Sequence, residues 1–521
     1  MNNQDYVQTP QESTTVKVKA EYSILDTVFA WISIIIGFFF AKAFPIRENT
    51  FGALICFVVL FVFGAIYFKC SKIDLTRKSC LIFAISILFS IGFVTGANKV
   101  IQAFLFVFMV ALFLYWMYFS AGLTGNRVFG DNLISHFLYS LFVLPFTSFT
   151  HFFSGLVIRD KGGVGKKVMQ SVLMAIIGLW CALIPTGIII LLLSYDDNFT
   201  GILNDVFNAG INSVGDIILG FVFAMVIFGV IFGAKFLRVK NGGGEKQIGE
   251  TQTNVLPEAF LCATVTPILL VYIMFFISQW DYYMSAFTGY LPKGLTYAEY
   301  AREGFFQLCT ICIINAVMLL LFNILMKKGG KISTGIKKGY SLTIAIFTMI
   351  LIVTALSKMI LYIDSYGLTR KRVYSSWLMV LLAFVFTAFI LSVFIKKIKI
   401  APIAISLFIA FFGLIALPDV DGLIADYNVQ MYISGQLETV DVDTLSEYGV
   451  SGVPALAKLY CHLDEKDSQT TKEQIYIDQA VNAAVKISTE MENQKENIFT
   501  FNIPRFRAKN ELDKIINGKK I

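Results

Sequence analysis

The chain has 521 residues, of which 56% are hydrophobic and only 15% charged, with 50 Phe and a formal net charge of +7. An ordinary soluble domain carries roughly 25% charged residues, so this composition excludes a soluble enzyme, a secreted disulfide scaffold and a disordered chain. It leaves a polytopic membrane protein, because repeated apolar runs of about 20 residues are what a bilayer core of about 30 Å demands.

The polar stretch 1–23 reads as a cytoplasmic tail. No basic-then-apolar segment ends in a small-residue cleavage site, so no cleaved signal peptide is expected. Apolar spans follow at 25–44, 51–68, 80–97, 100–120, 168–194, 215–236, 256–279, 305–326, 340–362, 373–395 and 400–417. A twelfth apolar stretch, 132–157, carries His136, Ser140, Pro145, Thr147, Ser148, Thr150, His151 and Ser154. A lipid-facing span rarely tolerates so many polar groups with a proline, so this stretch reads as re-entrant or interfacial. The expected fold class is all-α: a polytopic transmembrane helix bundle of about 11 spans, filling 24–417, with a small C-terminal helical domain over 418–521.

Charge sets the expected orientation. Basic residues cluster in alternate loops, with four each in 69–78, 158–167 and 235–246, five in 327–338 and three in 396–399, against none in 195–214. The positive-inside bias then places the N-terminus in the cytoplasm and the C-terminus outside, with Arg370, Lys371 and Arg372 as the dissenting loop. The tail 418–521 holds 17 acidic and 11 basic residues, so its net is −6 and the rest of the chain is +13. The basic excess therefore faces anionic lipid headgroups and does not read as a nucleic-acid surface. Within the tail, 422–434, 441–464 and 469–495 are patterned as helices, with Asp441 as a cap and Pro454 as an opening residue.

The motifs favour structure over chemistry. Gly162, Gly163, Gly165 and Lys166 lack the spacing and the Ser or Thr of a phosphate loop, and 241–253 reads as a flexible linker. Cys309 and Cys312 form a C-x-x-C inside a span, away from the water-accessible edge a redox pair needs. Seven of the eight Cys lie in or beside apolar runs, and Cys461 stands alone in the tail. The D-x-D pairs Asp419/Asp421 and Asp441/Asp443 lack the further ligands of a calcium loop and read as helix caps. No cofactor or metal is expected. Lys358, Tyr362 and Tyr366 fall on one helix stripe. Either Lys358 snorkels to the headgroups between tyrosine anchors, or it belongs to an outer-face polar site with Asp364, Arg370 and Arg372.

Four stretches carry a resemblance. They are Leu295 to Leu308 (LTYAEYAREGFFQL), Lys358 to Arg370 (KMILYIDSYGLTR), Asp421 to Asn428 (DGLIADYN), and Val442 to Leu445 with Val453 to Leu456. In this order they resemble a bacterial membrane-protein family catalogued as domain of unknown function 4173. The resemblance implies a bacterial multi-pass membrane protein and supplies no reaction. The candidate outer-face site gathers Tyr297, Glu299, Arg302, Glu303, Lys358, Tyr362, Asp364, Tyr366, Arg370 and Arg372, with Glu303 expected to pair with Arg370 or Arg372. The functional expectation is a non-enzymatic sensing, signalling or assembly component of the cell membrane. It would act through its outer face and tail on a membrane or extracytoplasmic protein partner. A small-molecule transporter is the alternative, and an enzyme acting on lipid or envelope precursors the second.

Overall fold

The computed structural model describes residues 20–43, 50–124, 133–156, 197–242, 258–278, 305–325, 331–395, 397–466, 468–493 and 498–518. The span 168–194, the Gly162–Lys166 run and Tyr297, Glu299, Arg302 and Glu303 lie outside them.

Every regular element among the described residues is helical. Four helices open the chain: α1 (Ile24–Ala43), α2 (Thr50–Cys70), α3 (Arg77–Thr95) and α4 (Lys99–Ser120). The stretch expected to re-enter is broken, as its proline and hydroxyl content implies. It runs through α5 (Leu133–Leu138), a π-helical turn (Tyr139–Val143), α6 (Leu144–Ser148) and α7 (His151–Gly155). His136 Nδ1 lies 3.1 Å from the Tyr118 hydroxyl and His151 Nδ1 lies 2.7 Å from that of Tyr22. Both tyrosines sit at the same end of the bundle, so His136 and His151 lie at that end, while Phe152 and Gly155 pack further along α8 against Phe221 and Phe228. α8 (Asp197–Lys240) begins well before its apolar stretch, which corrects the reading of 195–214 as a loop. Then come α9 (Glu258–Ser278), α10 (Phe305–Leu325), α11 (Lys331–Tyr366), α12 (Arg370–Phe394) and α13 (Ile400–Ala416).

Seven of the described helices are long and apolar enough to cross a membrane, and α13 passes the same test only when taken together with the next helix, across a bend of 63°. α9 and α10 are apolar over shorter described stretches. The helices pack around two apolar centres. One joins α1–α8 to the tail, and the other joins α9, α10, α11 and the second half of α12. The bridge between them is α12 against α13, where Trp377 Nε1 donates to the Phe411 carbonyl at 2.7 Å.

Small residues decide the tightest crossing. Lipid offers apolar side chains no incentive to leave it, so membrane helices associate where their backbones can touch. A Cβ added at Gly37 of α1 would stand 2.2 Å from the Gly220 carbonyl oxygen of α8. Gly37→Val therefore forces the two helices apart, at a cost of about 1–3 kcal/mol. It should lower the melting temperature of the purified protein in detergent by several degrees. Gly335→Val, at an open position of α11, should shift it far less.

The tail folds as α14 (Val420–Ile433), α15 (Val442–Glu447), α16 (Val453–Asp464), α17 (Thr471–Glu492) and α18 (Ile503–Gly518), with 3-10 turns at Gly449–Ser451 and Ile498–Thr500. Asp441 caps α15 and Pro454 stands in the first turn of α16. Leu456, Leu459, Leu463, Ala480, Ala484, Ala508 and Ile515 are buried between α16, α17 and α18. Thr470 and Glu473 close a capping box at the start of α17. The Lys466 ammonium first, then the Thr470 donors, hold the Glu473 carboxyl down at about 2. Its folded value lies below the ordinary 4.5, so its contribution is complete above that value and fades as pH falls toward the folded one. Hydrogen-exchange protection at the start of α17 should weaken over that acid window in the native chain, and Glu473→Gln should flatten the dependence.

Candidate functional site

The site is built where the last membrane helix hands over to the tail. α13 ends at Ala416, and the Leu417 carbonyl takes a hydrogen bond from Thr95 at the end of α3. Pro418 follows, then Asp419, which caps α14 by accepting from the Gly422 amide and also takes a bond from Ser451 Oγ at 2.8 Å. The proline and the cap together end one helix and start another at an angle.

Asp421, in the first turn of α14, is 1% exposed. Three donors meet its carboxylate. Arg370 at the start of α12 forks onto it, Nε to Oδ1 at 3.0 Å and Nη2 to Oδ2 at 2.7 Å. Asn98 donates from Nδ2 to Oδ2 at 2.9 Å while its own oxygen caps α4 by accepting from Val100 and Ile101. The same amide lies 3.2 Å from the Tyr374 hydroxyl. Arg370 also donates to the Glu447 carbonyl at 3.3 Å and stacks 4.6 Å over the Tyr448 ring. One carboxylate thereby ties α14 to α4 and α12, and α12's arginine reaches on to the end of α15.

The turn before α12 is fixed just as closely. Gly367 has φ +70°, and a Cβ there would lie 2.5 Å from Asn428 Oδ1. Asn428 of α14 uses both ends of its amide on Leu368, accepting from the backbone N–H at 2.7 Å and donating to the carbonyl at 2.8 Å. Arg372 donates to the Tyr366 carbonyl at 2.8 Å and to that of Gly367, and lies 3.9 Å over the Tyr362 ring.

This arrangement is suited to holding, not to acid–base chemistry. A carboxylate that accepts three hydrogen bonds, two from a planar guanidinium fork, is held in one orientation against its partners. The cavity beside it, bounded by Gly92, Gln102, Tyr374 and Pro418, has a volume of about 10 Å³, which is room for one water. A larger cavity of about 230 Å³ opens beside Tyr362, Thr369, Lys371 and Arg372, with Phe305 and Met359 as its apolar wall.

The sequence-derived candidates therefore separate. Arg370 joins Asp421, a residue read from sequence as a helix cap, while the capping falls to Asp419 alone. Tyr362, Tyr366 and Arg372 come together at the neighbouring turn. Lys358 is wholly buried, which corrects the reading that it snorkels along the surface. Asp364 is exposed. The expected partner Glu303 lies outside the described residues, and the fork of Arg370 is taken up by Asp421. Asn98, Tyr374, Asn428 and Tyr448 were missed. The available signal was the Asp421–Asn428 stretch, which carried the resemblance without a role attached. Among the described residues no three His, Cys, Asp or Glu side chains converge as a metal site.

A second polar cluster lies at the opposite end of the bundle. Asp26 in α1 is fully buried. It accepts from Lys235 Nζ of α8 at 2.7 Å, from the Tyr67 hydroxyl at 2.7 Å, and from Ser23 N and Oγ at 2.8 and 2.7 Å. Arg238, one turn on, donates to the Ala121 carbonyl at 3.0 Å.

The sequence model of the family described as Domain of unknown function (DUF4153) matches residues 83–459. The chain belongs to the DUF4153 family. The number differs from the 4173 that the sequence resemblance suggested, while the description as a domain of unknown function is the same. No curated protein and no solved structure matches the chain. The DUF4153 region runs from within α3 to within α16, so it contains Asn98, Arg370, Asp421, Asn428 and Tyr448. It leaves out α1, α2, α17 and α18.

Proposed function

We propose that this DUF4153 protein is a non-enzymatic membrane component of sensing, signalling or assembly, in which the tail meets a membrane or extracytoplasmic protein partner and is coupled to the bundle. The observation that carries this reading is the Asp421 clamp. It joins the first tail helix to two membrane helices, so a load on the tail is borne directly by α4 and α12. Orientation follows from charge. Lys69, Lys72, Arg77 and Lys78 share one end with Lys235, Arg238 and Lys240, as the Tyr67, Asp26 and Ala121 contacts of α8 require. The tail occupies the other end. By the positive-inside bias the basic end faces the cytoplasm and the tail is extracytoplasmic.

The test is purification of the tagged full-length chain from its native host in mild detergent, alongside an Arg370→Met variant. A stoichiometric protein partner that is lost or weakened with the variant is the expected result. Recovery of both proteins without a partner would overturn the reading. A small-molecule transporter is the second reading, favoured by the buried Asp26–Lys235 pair, since ionisable groups inside a membrane bundle often mark a pathway. Substrate flux into proteoliposomes that stops with Asp26→Asn would favour it.

A further inference from the structure

Two adjoining cavities lie where the end of the tail meets α1 and α2. The first is an apolar cleft of about 580 Å³ between α1 and α2, walled by Ile35, Phe39, Ile55 and Val59, with Lys42 at its rim and Phe499 of the tail across its top. The second, of about 470 Å³, lies between Phe51 at the start of α2 and the tail residues Phe501, Asn502, Arg505, Phe506 and Lys509. They meet along Phe51–Gly52 and the turn that holds Phe499. Thr50 Oγ1 donates to the Phe501 carbonyl at 2.9 Å, and the Phe51 and Phe501 rings are 6.3 Å apart, which fixes the tail at this point.

The tail segment that closes these cavities differs from the rest of the tail. From 497 to 510 it holds Arg505, Arg507 and Lys509 and no carboxylate, within a tail whose net charge is −6. It also exposes apolar and aromatic side chains: Ile498 is 74% exposed and Phe506 58%. Basic and aromatic residues alternating on one short segment match the boundary between headgroups and acyl chains. An apolar cleft between two membrane helices, opening into a cationic cup at the membrane surface, matches one molecule with an acyl chain and an anionic head.

We propose that the α1–α2 cleft and the 498–509 segment form a binding site for a single anionic glycerophospholipid from the leaflet on the tail's side. The acyl chain lies along Ile35, Phe39, Ile55 and Val59. The phosphate lies against Arg505 and Lys509, while Lys42 at the rim stays paired with Asp216. The lipid thereby bridges the end of the tail to the first two membrane helices, at a distance from the Asp421 clamp.

The test is native mass spectrometry of the full-length protein in mild detergent, titrated with phosphatidylglycerol or with phosphatidylcholine of the same chain length. Three forms are compared: the native chain, Lys509→Glu, and Val59→Trp, which fills the cleft without changing charge. Both altered positions are exposed, so thermal unfolding of the lipid-stripped proteins should match that of the native chain. The expected result is stronger retention of phosphatidylglycerol by the native chain. Lys509→Glu should reduce it about fivefold or more, the worth of a cation beside an anionic surface, and Val59→Trp should reduce it as well. Equal retention of the two lipids by the native chain would overturn the proposal. So would an effect of Lys509→Glu without one of Val59→Trp, which would mean attraction to the surface without a seated chain.

Discussion

Arg370→Met is expected to unlatch the tail from the bundle. The substitution keeps the length and apolar stem of the side chain and removes the fork, leaving the Asp421 carboxylate buried with Asn98 as its remaining side-chain donor. Removing one partner of a buried ion pair costs about 3–5 kcal/mol, because the other charge stays desolvated. Arg370 keeps about a third of its side chain in solvent, so the lower end of that range, about 3 kcal/mol, is the expected cost. It should appear locally first. Hydrogen-exchange protection of α14 should fall by more than tenfold, and proteolysis should reach the α13–α14 junction, while α1–α4 remain protected. Arg370→Met combined with Asp421→Leu should recover much of the loss, since an apolar pair of similar volume replaces the ion pair. Unchanged protection of α14 in the single variant would mean that the clamp contributes little.

The second large effect is expected at the other end. Lys235→Met strands the Asp26 carboxylate inside α1, with Tyr67 and Ser23 as its donors. Asp26 has no solvent contact, and the expected cost is about 3–5 kcal/mol, read as a large drop in the melting temperature of the detergent-solubilised protein. Lys235→Arg should be tolerated, because an arginine fork still supplies a donor and a charge. Asp26→Leu with Lys235→Met should restore most of the stability. Should the double variant fold yet abolish flux in proteoliposomes, the ion pair would be functional as well as structural.

Much of the bundle is legible in the sequence, because burial in lipid is a local property of each apolar run. The runs at 51–68 and 100–120 coincide with α2 and α4 to within two residues. Helix ends beyond the bilayer are less legible. α11 begins at Lys331, nine residues before the apolar run at 340, because lysine-rich turns continue a helix that hydropathy no longer marks. α8 extends further still, through a stretch that reads as a loop because it falls between two apolar runs. The clamp was half legible. Arg370 stood out as a cation in a loop that ran against the expected orientation, and its position at the start of α12 lets its fork reach Asp421. Its partner was illegible, because Asp421 and Asp419 look alike in sequence. Only the bend after Pro418 assigns one to capping and the other to the ion pair, 51 residues from Arg370. Lys358 misled for the same reason: helix periodicity gives its stripe, and only the packing of the helices decides whether that stripe meets lipid or protein.

We propose that the latched tail and the basic end lie on opposite sides of the membrane, with the tail outside. The most direct test is labelling of single cysteines by a membrane-impermeant maleimide on intact cells, in a background without native cysteines. Val485→Cys on the exposed face of α17 should label from outside, and Lys240→Cys at the end of α8 should label only after the cells are opened. Labelling of Lys240→Cys on intact cells with Val485→Cys protected would reverse the orientation and place the tail, its clamp and any partner in the cytoplasm.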